Sequence, residues 1–361
     1  MSRILVAAAG SGKTTYLVKQ ALQSCGERIL ITTYTDANTK SIVEKFYELY
    51  GCIPSNVTIM PWFTFLLCHG VRPYQGYFTQ KSLKGIYLVN QAPQLQRFCK
   101  NDDIKKYITT AGSVYSNTIA KFVCILNEKS NGSAIGRITN IYPRVFIDEV
   151  QDLAGYDLEI IKKLEKAGCN LLIAGDTRQA TYRTHTEQKY KKYCNGKITE
   201  FIKDEVPDIE IDTTTLKDSH RNNQKICDLA NRLYPNMEEC NSAMKMETGH
   251  DGIFWVHASD VEKYIQFTEA VQLMYNNCTK VLENAKSITF GNAKGLTFER
   301  VLIYPTKPML DWFAGKANDL KPESRSKFYV AITRAKYSVG IVYNTKKVPN
   351  DEYGIAWHPD N

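Results

Sequence analysis

The sequence contains no apolar run long enough to cross a membrane or to form the core of a secretory signal; the one near the N-terminus, Ile4 to Ala9, is far too short. A cytosolic protein with no membrane partner is therefore expected. Its ten cysteines, from Cys25 to Cys278, include no C-x-x-C pair and no tight cluster with histidine, so structural zinc is not expected and the thiols are read as reduced and mostly buried. Tandem repeats, low-complexity tracts and heptad runs are also missing. What remains is a globular chain whose 361 residues suffice for two domains with full-sized cores. Acidic side chains are outnumbered, 38 against 46 Lys and Arg, and the resulting +8 favours a polyanionic partner only weakly on its own.

The chemistry-bearing stretches stand out against this background. Val145-Phe146-Ile147 reads as a buried strand that delivers Asp148 and Glu149 to its C-terminal end. Ligands of open α/β sheets sit at the carboxyl ends of the strands, so Asp148 would hold Mg²⁺ in a crevice and Glu149 would polarise a water. The same letters also suit an acidic helix N-cap. The N-terminus tips the balance: Ile4-Leu5-Val6 runs into Ala7-Ala8-Ala9-Gly10-Ser11-Gly12-Lys13-Thr14-Thr15, which is strand, small-residue turn and helix. It departs from G-x-x-x-x-G-K-[ST] only at Ala7. Gly10 and Gly12 let backbone N–H groups close around phosphate oxygens at a helix N-terminus, with Ala8, Ala9, Ser11 and Thr15 in the same cradle. Lys13 would reach the β and γ phosphates, and the Thr14 hydroxyl would complete the Mg²⁺ shell.

Taken in order, the chain alternates strand and helix. Thr33 to Asn38 places hydroxyls at a strand end, where Thr35 would contact phosphate or cap a helix. Trp62 and Phe63 follow a third strand and would stack on a base or fill a core. Residues 71 to 142 interrupt the alternation with ten Lys and Arg against three acids, and nine aromatics are interleaved. This segment is read either as a single-strand grip, with Lys105 and Lys106 in it, or as a mainly helical insertion with solvated lysines. Asn170 to Ala174 is another buried strand, ending in Gly175-Asp176-Thr177-Arg178-Gln179, then Tyr182 and Arg183. Gln179 would sense the γ phosphate, and Tyr182 would face nucleic acid. A polarity rise near residue 186 marks the expected boundary between a first domain, 1–186, and a second, 187–361. The second alternation is expected as strand Ile209 to Leu216, helix Asn223 to Tyr234, strand Ile253 to His257 and helix Val261 to Asn276. Strands Ser287 to Phe290 and Val301 to Tyr304, helix Ser324 to Ala335 and strand Tyr337 to Tyr343 follow.

In order, these pieces resemble the motifs of the UvrD/Rep-like superfamily 1 helicases: AAAGSGKT, TTYTDAN, VFIDEVQD, LLIAGDTRQ with Tyr182, SHRNNQKICDLAN, TFGNAKGLTFERV and YVAITRAK. The resemblance implies two tandem RecA-like P-loop domains of α/β class with parallel sheets, and ATP with Mg²⁺ as nucleotide and metal. By the same resemblance Asp148 coordinates the metal, Glu149 is the catalytic base and Gln179 couples the γ phosphate to movement. Arg221 and Arg334 neutralise transition-state charge, His220 and Gly295 sit at the nucleotide, and Thr289 lies on nucleic acid. Arg334 is expected in a helix and to matter for hydrolysis rather than folding.

Departures accompany the match. The sequence opens at the first strand, so the family's adenine-reading Gln is not expected upstream. His220 stands for the family's Tyr, Thr297 for its ribose-binding Glu and Gly291 for a His, which leaves nucleotide selectivity open. Asn231 and Ile288 lie close in sequence where relatives insert a large subdomain, as in a nearly minimal motor core that works with a protein partner. Two readings result: an ATP-dependent DNA helicase or single-strand translocase, 3′ to 5′ by resemblance, with RNA left open; or an ATP-gated nucleic-acid-binding switch that does not unwind. A small-molecule kinase gives Arg334 and the Asp176/Gln179 strand no role.

Overall fold

Short, continuously apolar runs become parallel strands because both faces of such a sheet are covered by helices. Five of them do so in the first half of the chain: β1 (Arg3–Val6), β2 (Ile29–Thr33), β3 (Val57–Pro61), and, after the short strands β4 (Gly85–Tyr87) and β5 (Ser113–Tyr115), β6 (Arg144–Ile147) and β7 (Asn170–Gly175). With β8 (Glu210–Asp212) they form an all-parallel sheet in the order β3-β2-β6-β7-β1-β8. The computed structural model describes residues 1–24, 26–89, 96, 98–181, 189–317 and 319–359. They divide into two compact units.

In the first unit, helices Lys13–Gln23, Asp36–Tyr50 and Tyr156–Lys166 accompany the sheet. The 71–142 segment is no separate lobe. Val71, Leu83, Tyr107, Phe122, Leu126 and Ile138 share one core with Ile4, Leu30, Val145 and Ile173 of the sheet. Its second part is helical, Ile119–Lys129 and Ser133–Ile141, whereas its first part holds tight turns and the parallel pair β4–β5. Those three-residue strands are too short to show a period in the sequence.

The expected boundary at residue 186 lies outside the described residues. Beyond it, residues 189–212 still belong to the first unit. Helix Ile198–Glu205 buries Phe201 and Ile202 in the same core, and β8 pairs with β1, where Arg3 meets Glu210 at 3.1 Å and Asp212 at 3.6 Å. The strand expected over Ile209 to Leu216 is thus only three residues long and completes the first sheet, not the second.

The second unit comprises Ala7–Gly12, Asp176–Thr181 and the chain from Thr213. Its sheet consists of β9 (Gly252–His257), β10 (Val271–Met274), β11 (Ser287–Thr289), β12 (Phe298–Tyr304), β13 (Ala335–Tyr343) and β14 (Ile355–Ala356), all parallel, in the order β11-β10-β12-β13-β9-β14. Trp255, Phe313, Phe328, Val339 and Ile341 form the centre of its core. The helix expected over Val261 to Asn276 stops at Thr268, because Glu269 takes a left-handed conformation (φ 54°) that turns the chain into β10. Among the described residues no helix is long and apolar enough to cross a membrane.

Candidate nucleotide-hydrolysis site

The carboxyl edge of the first sheet gathers the acidic and basic groups that the sequence separates by more than a hundred residues. Lys13 opens helix Lys13–Gln23, and its Nζ lies 3.8 Å from a Glu149 carboxylate oxygen. The Thr14 hydroxyl donates to Asp148 Oδ2 at 3.0 Å. Asp148 is 3% exposed; burial first, then the adjacent Glu149 carboxylate, push its carboxyl up to about 6 against the opposing pull of Lys13 and Thr14. A buried carboxylate short of positive charge, paired with a hydroxyl, fits a divalent cation that takes its other ligands from water and phosphate. Among the described residues no group of three or more His, Cys, Asp or Glu forms a dedicated metal cage.

Glu149 adopts a left-handed backbone (φ 56°, ψ 42°), its N–H donates to Asp148 Oδ1 at 2.9 Å, and Gln151 donates an amide hydrogen bond to its carboxylate. Gly175, at the end of β7, makes room for this turn: a Cβ there would sit 2.5 Å from Gln151 Oε1 and 2.8 Å from a Val150 methyl. Sequence reasoning assigned no role to Gln151 or Gly175.

In the second unit, Gly10 (φ 75°) and Gly12 (φ 83°) both need left-handed backbone, and a Cβ on Gly10 would also collide with Arg221 Cβ and Ser219 Oγ at 2.6 Å each. The Ser11 hydroxyl is buried with no hydrogen-bond partner among the described residues, a donor that a phosphate oxygen would satisfy. Two of the expected cradle amides are otherwise engaged. Ala8 N–H donates to Leu216 O at 3.0 Å and Ala9 N–H to the Tyr329 hydroxyl at 3.4 Å. Thr15 is half-buried on the helix that follows.

Asp176, fully buried, is the hub of the same unit. It accepts from Arg178 N–H at 3.1 Å, Gln179 Nε2 at 2.9 Å and the Tyr329 hydroxyl at 3.1 Å. Burial holds the Tyr329 hydroxyl well above the usual phenol range, so it stays a donor. Arg334 Nη2 reaches Gln179 Oε1 at 3.4 Å, and Lys294 Nζ reaches Gln179 O at 3.3 Å. Sequence reasoning missed the hub and Lys294; a Gly-Asp at a strand end was the one available signal.

Arg334 itself departs from expectation. It follows helix Pro322–Ile332, in the turn that leads into β13, and it is 2% exposed. Its Nε and Nη1 donate to the backbone oxygens of Val330 and Leu296, each at 3.1 Å, so it is built into the core as well as aimed at Gln179. Arg221 is half-buried and donates to Thr333 O at 3.4 Å. His220 is exposed, with its N–H bonded to Gly10 O at 3.0 Å, and Gly295 lies in an exposed turn at φ 83°.

The residues read as nucleic-acid contacts fare unevenly. Trp62 is fully buried and its indole N–H donates to Asp157 at 2.8 Å, so it is a core residue and not a base platform. Phe63 is half-buried, packed against the core, and meets Tyr34 edge-on at 5.2 Å. Thr35 caps helix Asp36–Tyr50 by accepting from Asn38 N–H at 3.1 Å. Thr289 ends β11 and accepts from Asn292 N–H at 3.4 Å. Within 71–142, Tyr107 and Phe122 are buried and stack on each other at 4.6 Å, whereas Tyr77, Tyr87 and Phe98 are exposed. Lys105 is exposed, but Lys106 Nζ is already bound to Cys99 O at 3.1 Å and Asn101 Oδ1 at 2.9 Å. Tyr182 lies outside the described residues.

A phosphate loop, a strand-end carboxylate pair and a buried Asp-Gln-Arg chain define a nucleotide-hydrolysing α/β protein. Residues 134–343 match the family model of the viral superfamily 1 RNA helicase core domain, and residues 71–186 match that of the UvrD/REP helicase N-terminal domain. The chain belongs to the superfamily 1 helicases, and within them it is UvrD/Rep-like. It is 27% identical over 188 residues to the RecBCD enzyme subunit RecB of Borreliella burgdorferi, an alignment covering 52% of this chain and 14% of that protein. Two solved structures of an arterivirus nonstructural protein 10 helicase, one in complex with DNA, match at 16% identity and a TM-score of 0.49 over 96% of this chain and 61% of theirs. This chain therefore spans only part of the length of each of these relatives.

Proposed function

We propose that the chain is an ATP-driven motor that moves 3′ to 5′ along single-stranded DNA and separates the strands of a tailed duplex. The observation that carries this reading is the Thr14–Asp148 hydrogen bond at 3.0 Å beside the Lys13–Glu149 pair at 3.8 Å, at the carboxyl edge of a parallel sheet. Lys13 holds the β and γ phosphates, and Thr14 and Asp148 hold Mg²⁺. The metal supplies neutralisation of the phosphate charge. Glu149 takes the proton of the attacking water, and its pinned turn fixes where that carboxylate points. Gln179, tied to Asp176 and Arg334, senses the γ phosphate and couples it to movement. Arg334 and Arg221 oppose the charge that develops in the transition state, an effect worth roughly 10³ to 10⁵ in rate in P-loop enzymes. A protein partner supplies specificity, and the cytosol is where the chain acts.

The test is ATP turnover by purified protein alone and with single-stranded DNA, duplex DNA or RNA, followed by strand separation on 3′- and 5′-tailed duplexes. Stimulation by single-stranded DNA with unwinding of the 3′-tailed substrate is the expected result. Stimulated turnover without strand separation on either substrate would make the chain an ATP-gated switch, and stimulation by RNA alone would replace the substrate.

A further inference from the structure

The first sheet has a second charged feature at its opposite edge. Arg28 stands immediately before β2, and helix Ser133–Ile141 leads through Tyr142 and Pro143 into β6. The amino ends of these strands are neighbours, with Ile29 in register with Arg144. Arg28 and Arg137 are thereby brought to one pocket of about 520 Å³, which Tyr74, Ser133 and Asn140 also line. Asp148 lies a strand's length away, roughly 13 Å at about 3.3 Å per residue.

Two arginines line this pocket, and among the described residues no carboxylate does. The adjacent acid, Glu27, is already held by Arg144 at 2.7 Å. Arg137 Nη1 is buried and has no hydrogen-bond partner among the described residues, which is costly for a charged donor unless an acceptor arrives from outside them. The Tyr74 hydroxyl donates to Ser133 O at 2.7 Å and ties the Arg72–Tyr77 turn to the first residue of the helix that carries Arg137. The pocket also lies within the most basic part of the sequence, ten Lys and Arg against three acids over 71–142.

We propose that Arg28 and Arg137 bind a backbone phosphate of nucleic acid at a site separate from the hydrolysis edge of the first sheet. A planar guanidinium pairs with phosphate oxygens through parallel N–H donors, and two of them converging on one pocket select a doubly coordinated anion. Ser133 and Asn140 add uncharged polar groups at the rim. Such a contact positions nucleic acid without reading its sequence. It would hold the duplex or the emerging strand against the base of the first unit, away from the hydrolysis edge. The proposal rests on the nucleic-acid reading above.

The test is the salt dependence of binding of fluorescent single-stranded and tailed-duplex oligonucleotides to the full chain, for wild type, Arg28→Gln, Arg137→Gln and the double variant. With both guanidinium groups removed, the slope of log affinity against log salt should become shallower by about 0.7 to 0.9, the one phosphate that the pair holds, on at least one probe. Turnover of ATP without nucleic acid should not change. Arg28 is exposed, so Arg28→Gln keeps the test readable if substitution at Arg137 disturbs packing. An unchanged slope in variants that melt like wild type, while wild type binds both probes, overturns the proposal and leaves the functional reading standing. Wild type that binds neither probe defeats the functional reading instead. Inorganic phosphate is titrated in parallel at constant ionic strength. A saturable rise in melting temperature that the double variant loses, with oligonucleotide slopes unchanged, assigns the pocket to a free phosphate compound and overturns the backbone assignment.

Discussion

Replacing Arg334 by alanine separates a residue that only meets the nucleotide from one that also holds its own unit together. The side chain is 2% exposed and donates to Val330 O and Leu296 O at 3.1 Å, with longer bonds to Thr333 Oγ1 and Gln179 Oε1 at 3.3 and 3.4 Å. A hydrogen bond from a charged donor is worth roughly 1.5–3 kcal/mol, so the two short bonds alone put the loss at about 3–6 kcal/mol. Each kcal/mol moves the midpoint by about 2–4 °C for a body of some 150–250 residues, so Arg334→Ala should melt roughly 10 °C below wild type. The assay is calorimetry or dye-monitored melting in the absence of nucleotide and Mg²⁺, with Arg334→Lys as comparator. Lysine keeps the charge but cannot span the two carbonyls with a planar fork, and it should fall in between. Turnover is then measured well below the lower midpoint, where both proteins are folded, and should still be strongly reduced in Arg334→Ala. A variant that melts within a degree or two of wild type would refute the structural half of this reasoning. Normal turnover per folded molecule would refute the catalytic half.

Lys13→Ala should weaken nucleotide binding, whereas Glu149→Gln should bind and not hydrolyse; near-normal turnover in Glu149→Gln rules out its role as base. Asp148 has a folded-state pKa pushed up to about 6 from 3.8, so its protonated form favours the fold below pH 4 and that contribution is lost as pH rises through 6. In metal-free buffer Asp148→Asn should therefore melt above wild type near neutral pH, with the gap closing towards about pH 4, and a gap that is independent of pH would contradict the shift. Because Lys106 is already tied to Cys99 and Asn101, neutralising Lys105 and Lys106 together should flatten the single-strand salt slope by about 0.7, one phosphate, and not two. Tyr329→Phe strips a donor from Asp176 and an acceptor from Ala9 N–H; it should lower the melting temperature without weakening nucleotide affinity, and a large loss of affinity would place the hydroxyl on the ligand side.

What was legible in the sequence was whatever a continuous run or a glycine fixes locally. Ile29–Thr33, Arg144–Ile147 and Asn170–Gly175 are buried on both faces, so their letters announce parallel strands. Illegible were the features decided by a partner far along the chain. Glu210–Asp212 belongs to the first sheet because β1 offers it an edge, which nothing in the polar run before it reveals. The segment Val261 to Met274 carries apolar letters at spacings that suit one long helix, and only the left-handed Glu269 splits it. A strand-end aromatic such as Trp62 suits stacking on a base. Asp157 supplies its indole with a buried acceptor instead, and Asp157 lies 95 residues away.

The two unusual backbone positions of the site show where such limits come from. The loop carries Ala7 where the usual pattern has glycine, and this costs nothing because Ala7 is absent from the positive-φ residues, whereas Gly10 and Gly12 are among them. The glycine requirement follows the dihedral and not the motif's lettering. Glu149 makes the opposite choice: it holds φ 56° with a full side chain, a conformation that costs on the order of 1–2 kcal/mol. A glycine would relieve that cost but remove the carboxylate. The structure offsets it instead with the Asp148 Oδ1 acceptor for the Glu149 N–H, the Gln151 amide on its carboxylate and the space left by Gly175. Strain accepted at a polar side chain and braced from three directions suits a side chain that has to point one way, which is what the base proposed above requires.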